Sequence, residues 1–152
     1  MTESETITIM QVDHIGIRVA ELDRAMAFYG VLGFKFAHQS AHDAVVIIKN
    51  GQGVEINLIF NANDANDDKN ILMDVETKYA GYTHVALGVE SIKRTIDILA
   101  ANNIPISQGP VVMREGYVAV FVRDPDRNVI ELRGLQSDLA EPDSIAGYTP
   151  EN

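Results

Sequence analysis

The segment VDHIGIRV (12–19) is echoed by YTHVALGV (82–89), and each copy opens a run of elements in the same order. That repetition constrains the fold more than any other feature, because a recurring unit of this size buries its apolar face most readily against its own twin. In the first copy Val12, His14, Gly16 and Arg18 share one face while Asp13, Ile15, Ile17 and Val19 share the other, the period of a strand. ELDRAMAFYGVLGF (21–34) then spaces Leu22, Ala25, Met26 and Tyr29 by threes and fours, with Gly30 and Gly33 available to end a helix. A strand is expected around GFKFA (33–37), a turn within AHQSAHD (37–43), and two more strands within DAVVIIKNGQGVEINLIF (43–60), folded back at Asn50 to Gly53. In the second copy SIKRTIDILAANNIPI (91–106) predicts a helix with Ile92, Ile96 and Leu99 on one face, ending near Asn102 and Asn103 and followed by a short strand. YVAVFVRDPDRNVIELRG (117–134) predicts a hairpin around Asp124, Pro125 and Asp126, and its VIELR echoes VEINL. The expected fold class is α+β, with two tandem βαβββ modules forming a cupped mixed sheet. The modules span 11–60 and 81–134, separated by a linker (61–80) and flanked by tails (1–10 and 135–152). The last tail is polar and proline-containing, which suits a segment that is mobile or docks on a partner subunit.

Composition excludes several partner classes. Twelve Lys and Arg against 22 Asp and Glu give a net charge of −10, so nucleic acid and anionic membrane surfaces are repelled and small-molecule or protein partners are expected. No apolar run approaches the roughly 20 residues needed to cross a bilayer, and MTESETITIM lacks the basic start and apolar core of a signal peptide, so a cytoplasmic location is expected. With no cysteine, disulfides, thiolate metal sites and a cysteine nucleophile are excluded. The acidic stretch NDANDD (63–68) fails as a calcium loop: an EF-hand starting at Asp64 requires Gly where Lys69 stands and Glu where Val75 stands. It reads as a solvated loop.

The chemistry is carried by residues that break the apolar pattern of both copies. In VEINLI (54–59), Val54, Ile56 and Leu58 share the helix-facing side, which leaves Glu55 and Asn57 on the other; Ile130 and Leu132 likewise leave Glu131 there. His14 and His84 occupy matching places on the first strands. A single histidine on a strand is commonly a hydrogen-bonded core residue, but His on the first strand and Glu on the last strand of both copies is hard to obtain from packing alone. Modules related by a pseudo-twofold axis are expected to converge His14, Glu55, His84 and Glu131 from one concave face. Two facing carboxylates repel, and stripping water from each costs several kcal/mol. A divalent cation removes both difficulties: two neutral imidazoles and two carboxylates carry −2, and nitrogen plus oxygen donors suit Ni, Zn, Co, Mn or Fe. His38 and His42 have no counterpart in the second copy and are read as surface loop residues.

The quoted segments resemble the vicinal oxygen chelate superfamily, which includes glyoxalase I, fosfomycin-resistance proteins, methylmalonyl-CoA epimerase, extradiol dioxygenases and bleomycin-binding proteins. The resemblance covers roughly 11–134. It rests on DHIGIRVAELDRAMAFYGVLGF, on THVALGV, and on GPV followed by FVRDPDRNVIELRG. It implies paired modules cupped around a metal, often completed across a homodimer. The order His14, Glu55, His84, Glu131 is similar to the ligand set of bacterial glyoxalase I, an isomerising lyase that turns the hemithioacetal of methylglyoxal and glutathione into a lactoyl thioester. By that resemblance two substrate oxygens bind the metal, Glu131 is the catalytic base that takes a proton from carbon, and Arg18 fits the position of an arginine that binds a glutathione carboxylate. The family's asparagine near the end of the first-module strand falls on Ile59, and VMREG (112–116) replaces a Lys-Gly-Gly stretch that follows GPV. Arg18, Asn57 and Arg114 are therefore the candidate substrate contacts. Two alternatives stand beside the metal-dependent lyase or isomerase: a non-catalytic drug- or metabolite-binding (resistance) protein, and an Fe(II) dioxygenase.

Overall fold

The computed structural model describes residues 5–65 and 68–149. Asn66 and Asp67 of the acidic stretch lie outside the described residues. The first module runs β1 (Ile15–Arg18), α1 (Leu22–Val31), β2 (Lys35–Gln39), β3 (Val45–Lys49) and β4 (Glu55–Ile59). The second runs β5 (His84–Gly88), α2 (Ile92–Ala101), β6 (Ile106–Arg114), β7 (Tyr117–Arg123) and β8 (Val129–Leu135). Each forms its own four-stranded sheet, ordered β1-β4-β3-β2 and β5-β8-β7-β6. In each, the last strand lies parallel to the first and antiparallel to its hairpin partner. The α+β reading with two tandem βαβββ modules holds. No helix among the described residues is long and apolar enough to cross a membrane.

The two modules share one core. Ile17, Val19, Val46, Ile48, Ile56 and Leu58 line the helix-facing side of the first sheet, and Val118, Val120, Val122, Ile130 and Leu132 line that of the second, closed by Ala25, Phe28 and Tyr29 of α1 and Ile92 and Leu99 of α2. The period-two patterns thus put the apolar residues where burial rewards them. Capping differs between the helices. Ser91 caps α2 by accepting the Arg94 N–H at 3.0 Å, whereas Glu21, at the same place in α1, makes no side-chain cap. The first module instead takes its partner from the second: Asp126 accepts the Ala20 N–H at 3.1 Å and the Arg24 guanidinium at 2.9 Å. Next to it the Tyr29 hydroxyl donates to Asp124 Oδ2 at 2.8 Å in a buried contact. The DPD turn therefore acts as a latch between the modules.

One segment departs from the sequence expectation, and two more make contacts that it left open. The strand after α2 is nine residues long rather than short, because β6 absorbs register shifts between Ile106 and Gln108, between Gln108 and Val111 and between Val112 and Arg114 to stay paired with β7. The C-terminal segment docks on its own chain: the Val112 backbone N–H donates to Ala146 O at 2.8 Å, the Tyr148 backbone N–H donates to Val112 O at 3.0 Å, and the Tyr148 ring stacks on Phe121. The linker is pinned by Asp74, which accepts from Arg123 and Arg127 at 2.9 to 3.1 Å. Burial alone would raise the Asp74 pKa, but hydrogen bonds from Arg127, the Asn70 amide and Arg123 outweigh it and lower the value to about 2.

Candidate metal centre

His14 lies one residue before β1, and the parallel register Ile15↔Ile56 sets it beside Glu55. Its Nδ1 is 2.6 Å from Asp13 Oδ1 and 3.8 Å from Glu55 Oε2. Asp13, His14 and Glu55 place ligand atoms within 4.8 Å of one another, the group of three or more such side chains found among the described residues. Asp13 was missed by the sequence reading, since strand alternation assigns it to the apolar face; an acid directly before a histidine was the available signal. Lys49 is paired in register with Glu55, and its Nζ lies 3.4 Å from Glu55 Oε1.

The second module builds a similar pair in drier surroundings. His84 Nε2 is 3.5 Å from Glu131 Oε1. Thr83 Oγ1 lies 2.8 Å from His84 Nδ1, so the ring is held from behind by the residue that precedes it, as Asp13 holds His14. Glu131 stands on the face opposite Ile130 and Leu132, as expected, yet is only 1% exposed. Phe121, its partner in register across β7, lies edge-on to the His84 ring at 5.8 Å. Arg133, two residues along the same face, donates to Glu131 Oε2 through both Nε and a terminal nitrogen at 3.0 Å. That guanidinium compensates the buried carboxylate. The spacing E-x-R carried the signal, which the sequence reading passed over.

The four expected ligands form two pairs rather than one cluster. His14 and His84 line a common cleft of about 480 Å³ with Arg18, Tyr82, Thr83 and Asn128, but among the described residues the four do not come within ligand distance of each other. The two histidines thus share one cleft, while the only close ligand group of three or more among the described residues is Asp13, His14 and Glu55. β1 and β5 are the edge strands of their two sheets, and residues of both line this cleft. Of the candidate substrate contacts, Arg18 donates to Asn61 Oδ1 at 3.0 Å beside the cleft. Arg114 lies over the Tyr117 ring at 4.5 Å, at the β6–β7 turn and away from the cleft-lining residues. Asn57 Oδ1 is buried with no hydrogen-bond partner. His38 falls within β2, exposed, rather than in a loop, and His42 lies in the bend that follows.

The donor set fits a divalent cation. His84 and Glu131 offer imidazole nitrogen and carboxylate oxygen, and the 3.5 Å separation of His84 Nε2 and Glu131 Oε1 is less than twice the usual metal–ligand distance of about 2.1 Å, so one ion can touch both; His14 lines the same cleft as a second imidazole, its Nδ1 held by Asp13.

Known proteins bear on this arrangement. The model of the glyoxalase/bleomycin resistance protein/dioxygenase superfamily matches residues 11–132. The lactoylglutathione lyase of Haemophilus influenzae is 31% identical over 132 residues, covering 80% of this chain and 90% of its own length. Among solved structures, a glyoxalase/dioxygenase from Nostoc punctiforme superposes with a TM-score of 0.66 at 22% identity, covering 86% of this chain and 99% of the other. A glyoxalase family protein from Bacillus cereus gives 0.63 at 16% identity, covering 85% and 96%. With the same paired modules, a match across nearly the whole double repeat and a relative of this similarity, the chain belongs to the glyoxalase/bleomycin resistance protein/dioxygenase superfamily.

Proposed function

We propose that the protein is a metal-dependent lyase or isomerase of the glyoxalase I type, acting by proton transfer on a substrate that presents two adjacent oxygens. The observation that carries this reading is the repeated histidine, each secured at Nδ1 by the preceding side chain, with the Glu131 carboxylate 3.5 Å from His84 Nε2. His14 with a side-chain oxygen of β4 from one module, and His84 with Glu131 from another, hold the divalent cation. The four side chains do not form one ligand group within the chain, and a centre completed between two copies accounts for that. A surface that exposes Ile7, Ile9, Met10, Val12 and Tyr82, each at least 79% accessible, supports a homodimer.

Bound there, the cation acts as a Lewis acid that stabilises negative charge developing on the substrate oxygens. The chain supplies the rest. Arg133 fixes Glu131 by one oxygen and leaves Oε1, on the His84 side, to take a proton from the substrate carbon and return it to the neighbouring one. Phe121 and Tyr148 wall this side against water. Arg18, presented by Asn61 at the cleft, binds an anionic end of the substrate. The relative's name, lactoylglutathione lyase, makes the hemithioacetal of glutathione the first substrate to assay.

The test is metal analysis of purified protein, followed by lactoylglutathione formation before and after chelation. Chelation is expected to abolish turnover and added metal to restore it, and Glu131→Gln is expected to reduce turnover by at least about a hundredfold with the fold intact. Full activity in the variant removes Glu131 from the base role. Ligand binding unaffected by chelation, without turnover, identifies a sequestering protein instead.

A further inference from the structure

The two modules align residue by residue through their strand pairing, and that alignment does not match Glu55 with Glu131. In the first sheet Gly16 is in register with Asn57; in the second, Ala86 is in register with Glu131. Gly16 and Ala86 each lie two residues beyond the module's histidine, so they are counterparts, and the structural counterpart of Glu131 is Asn57. The cross-strand neighbours agree, since Asn57 faces Ile47 of β3 and Glu131 faces Phe121 of β7. The flanking core residues agree as well: Ile56 and Leu58 bracket Asn57 as Ile130 and Leu132 bracket Glu131, all four buried. The counterpart of Glu55 is Val129, which is in register with His84.

The surroundings of the two first-module side chains differ in the same sense. Glu55 already has a cation, with Lys49 Nζ 3.4 Å from Oε1. The Asn57 Oδ1 is buried and accepts nothing. A desolvated carbonyl oxygen without a donor costs on the order of a hydrogen bond and is rare in folded proteins unless an absent partner completes it. Its pseudo-symmetric position predicts where that partner is, because the same place in the second module is held by the carboxylate 3.5 Å from His84 Nε2.

We propose that the first module's oxygen donor at the metal centre is the carboxamide of Asn57, with Glu55 held outside the coordination shell as the ion-pair partner of Lys49. The inference rests on the reading that the chain binds a divalent cation through His14, His84 and Glu131. Its consequence is a centre with one carboxylate rather than two. Two neutral imidazoles, one carboxylate and one neutral amide leave a divalent ion with a residual charge of +1, which favours an anionic chelating ligand such as an enediolate or a hydroxamate. It also leaves one base, on the Glu131 side, because an amide takes no proton at neutral pH.

The experiment titrates the full-length, chelator-treated protein with Co(II), reading affinity by calorimetry and coordination by the visible ligand-field spectrum. Asn57→Ala is expected to weaken Co(II) binding at least about tenfold and to change the spectrum, Asn57→Asp to restore or tighten it, and Glu55→Gln to stay within about threefold with the spectrum unchanged. Asn57→Asp keeps the side-chain shape, so a folding failure of the alanine variant leaves the test intact. If the wild type binds Co(II) and Glu55→Gln abolishes that binding while both Asn57 variants bind as the wild type does, the inference is overturned and the metal-dependent function survives. If the wild type takes up no Co(II), both fall together.

Discussion

Tyr29→Phe isolates one buried contact among those that join the two modules. Tyr29 is fully buried, and its hydroxyl donates to Asp124, itself 3% exposed, at 2.8 Å. Burial, followed by the negative charge of Asp124, raises the Tyr29 pKa well above its ordinary value, so the hydroxyl stays a donor throughout the accessible pH range. A hydrogen bond to a charged group contributes about 1.5–3 kcal/mol. The lower part of that range applies, because Asp124 keeps the Asp126 and Asn128 backbone N–H groups and the Asn128 side chain, each at 2.9 Å, and is not stranded by the loss. The expected cost is about 2 kcal/mol, which in a chain of this length lowers Tm by roughly 4–8 °C. Urea unfolding followed by circular dichroism measures it, and a double-mutant cycle with Asp124→Asn should return a coupling of about 1–2 kcal/mol, since the partners touch. A loss under about 0.5 kcal/mol, the scatter of ordinary surface substitutions, refutes the reasoning that this bond fixes α1 against the β7–β8 turn.

Asp74 makes stability depend on acid: its folded pKa of about 2 lies below the ordinary 3.8, so its contribution is fully present above pH 4 and is lost as the pH falls toward 2. After allowance for solvent screening, that contribution is about 1–2 kcal/mol, and the difference in unfolding free energy between wild type and Asp74→Asn should shrink over that window in urea titrations at successive pH values. Arg133→Met leaves one oxygen of the buried Glu131 without its donors and is expected to destabilise the metal-free protein by about 3 kcal/mol, with Glu131→Gln added to it recovering part of the loss; an additive double variant in thermal unfolding would contradict the pairing. Gly109→Ala should cost about 1–3 kcal/mol, because φ there is +100° and a Cβ would stand 2.6 Å from the Ala119 carbonyl oxygen; unchanged denaturant midpoints would contradict that geometry.

The double repeat, the element order and the helix-facing residues were legible in the chain because they follow from periods that each segment carries by itself: alternation in VDHIGIRV and VEINLI, three-four spacing in SIKRTIDIL. The histidines at matching places on the first strands were legible for the same reason. Register was not. VEINL and VIELR can be slid against each other by two residues without moving any side chain to the wrong face, so sequence alone allowed Glu55 to stand for Glu131. Only the pairing of Gly16 with Asn57 and of Ala86 with Glu131 decides between them. Long-range contacts were equally invisible: the Arg133 clamp needs knowledge of which glutamate is buried, the docking of Tyr148 on Phe121 joins segments unrelated by any local pattern, and the meeting of His14 and His84 at one cleft needs the two modules packed together. Local patterning thus determined which faces are apolar and which residues could bear chemistry, because those are properties of neighbours along the backbone. The tertiary structure decided which of them meet, because strand register and sheet edges are set by pairing across the chain.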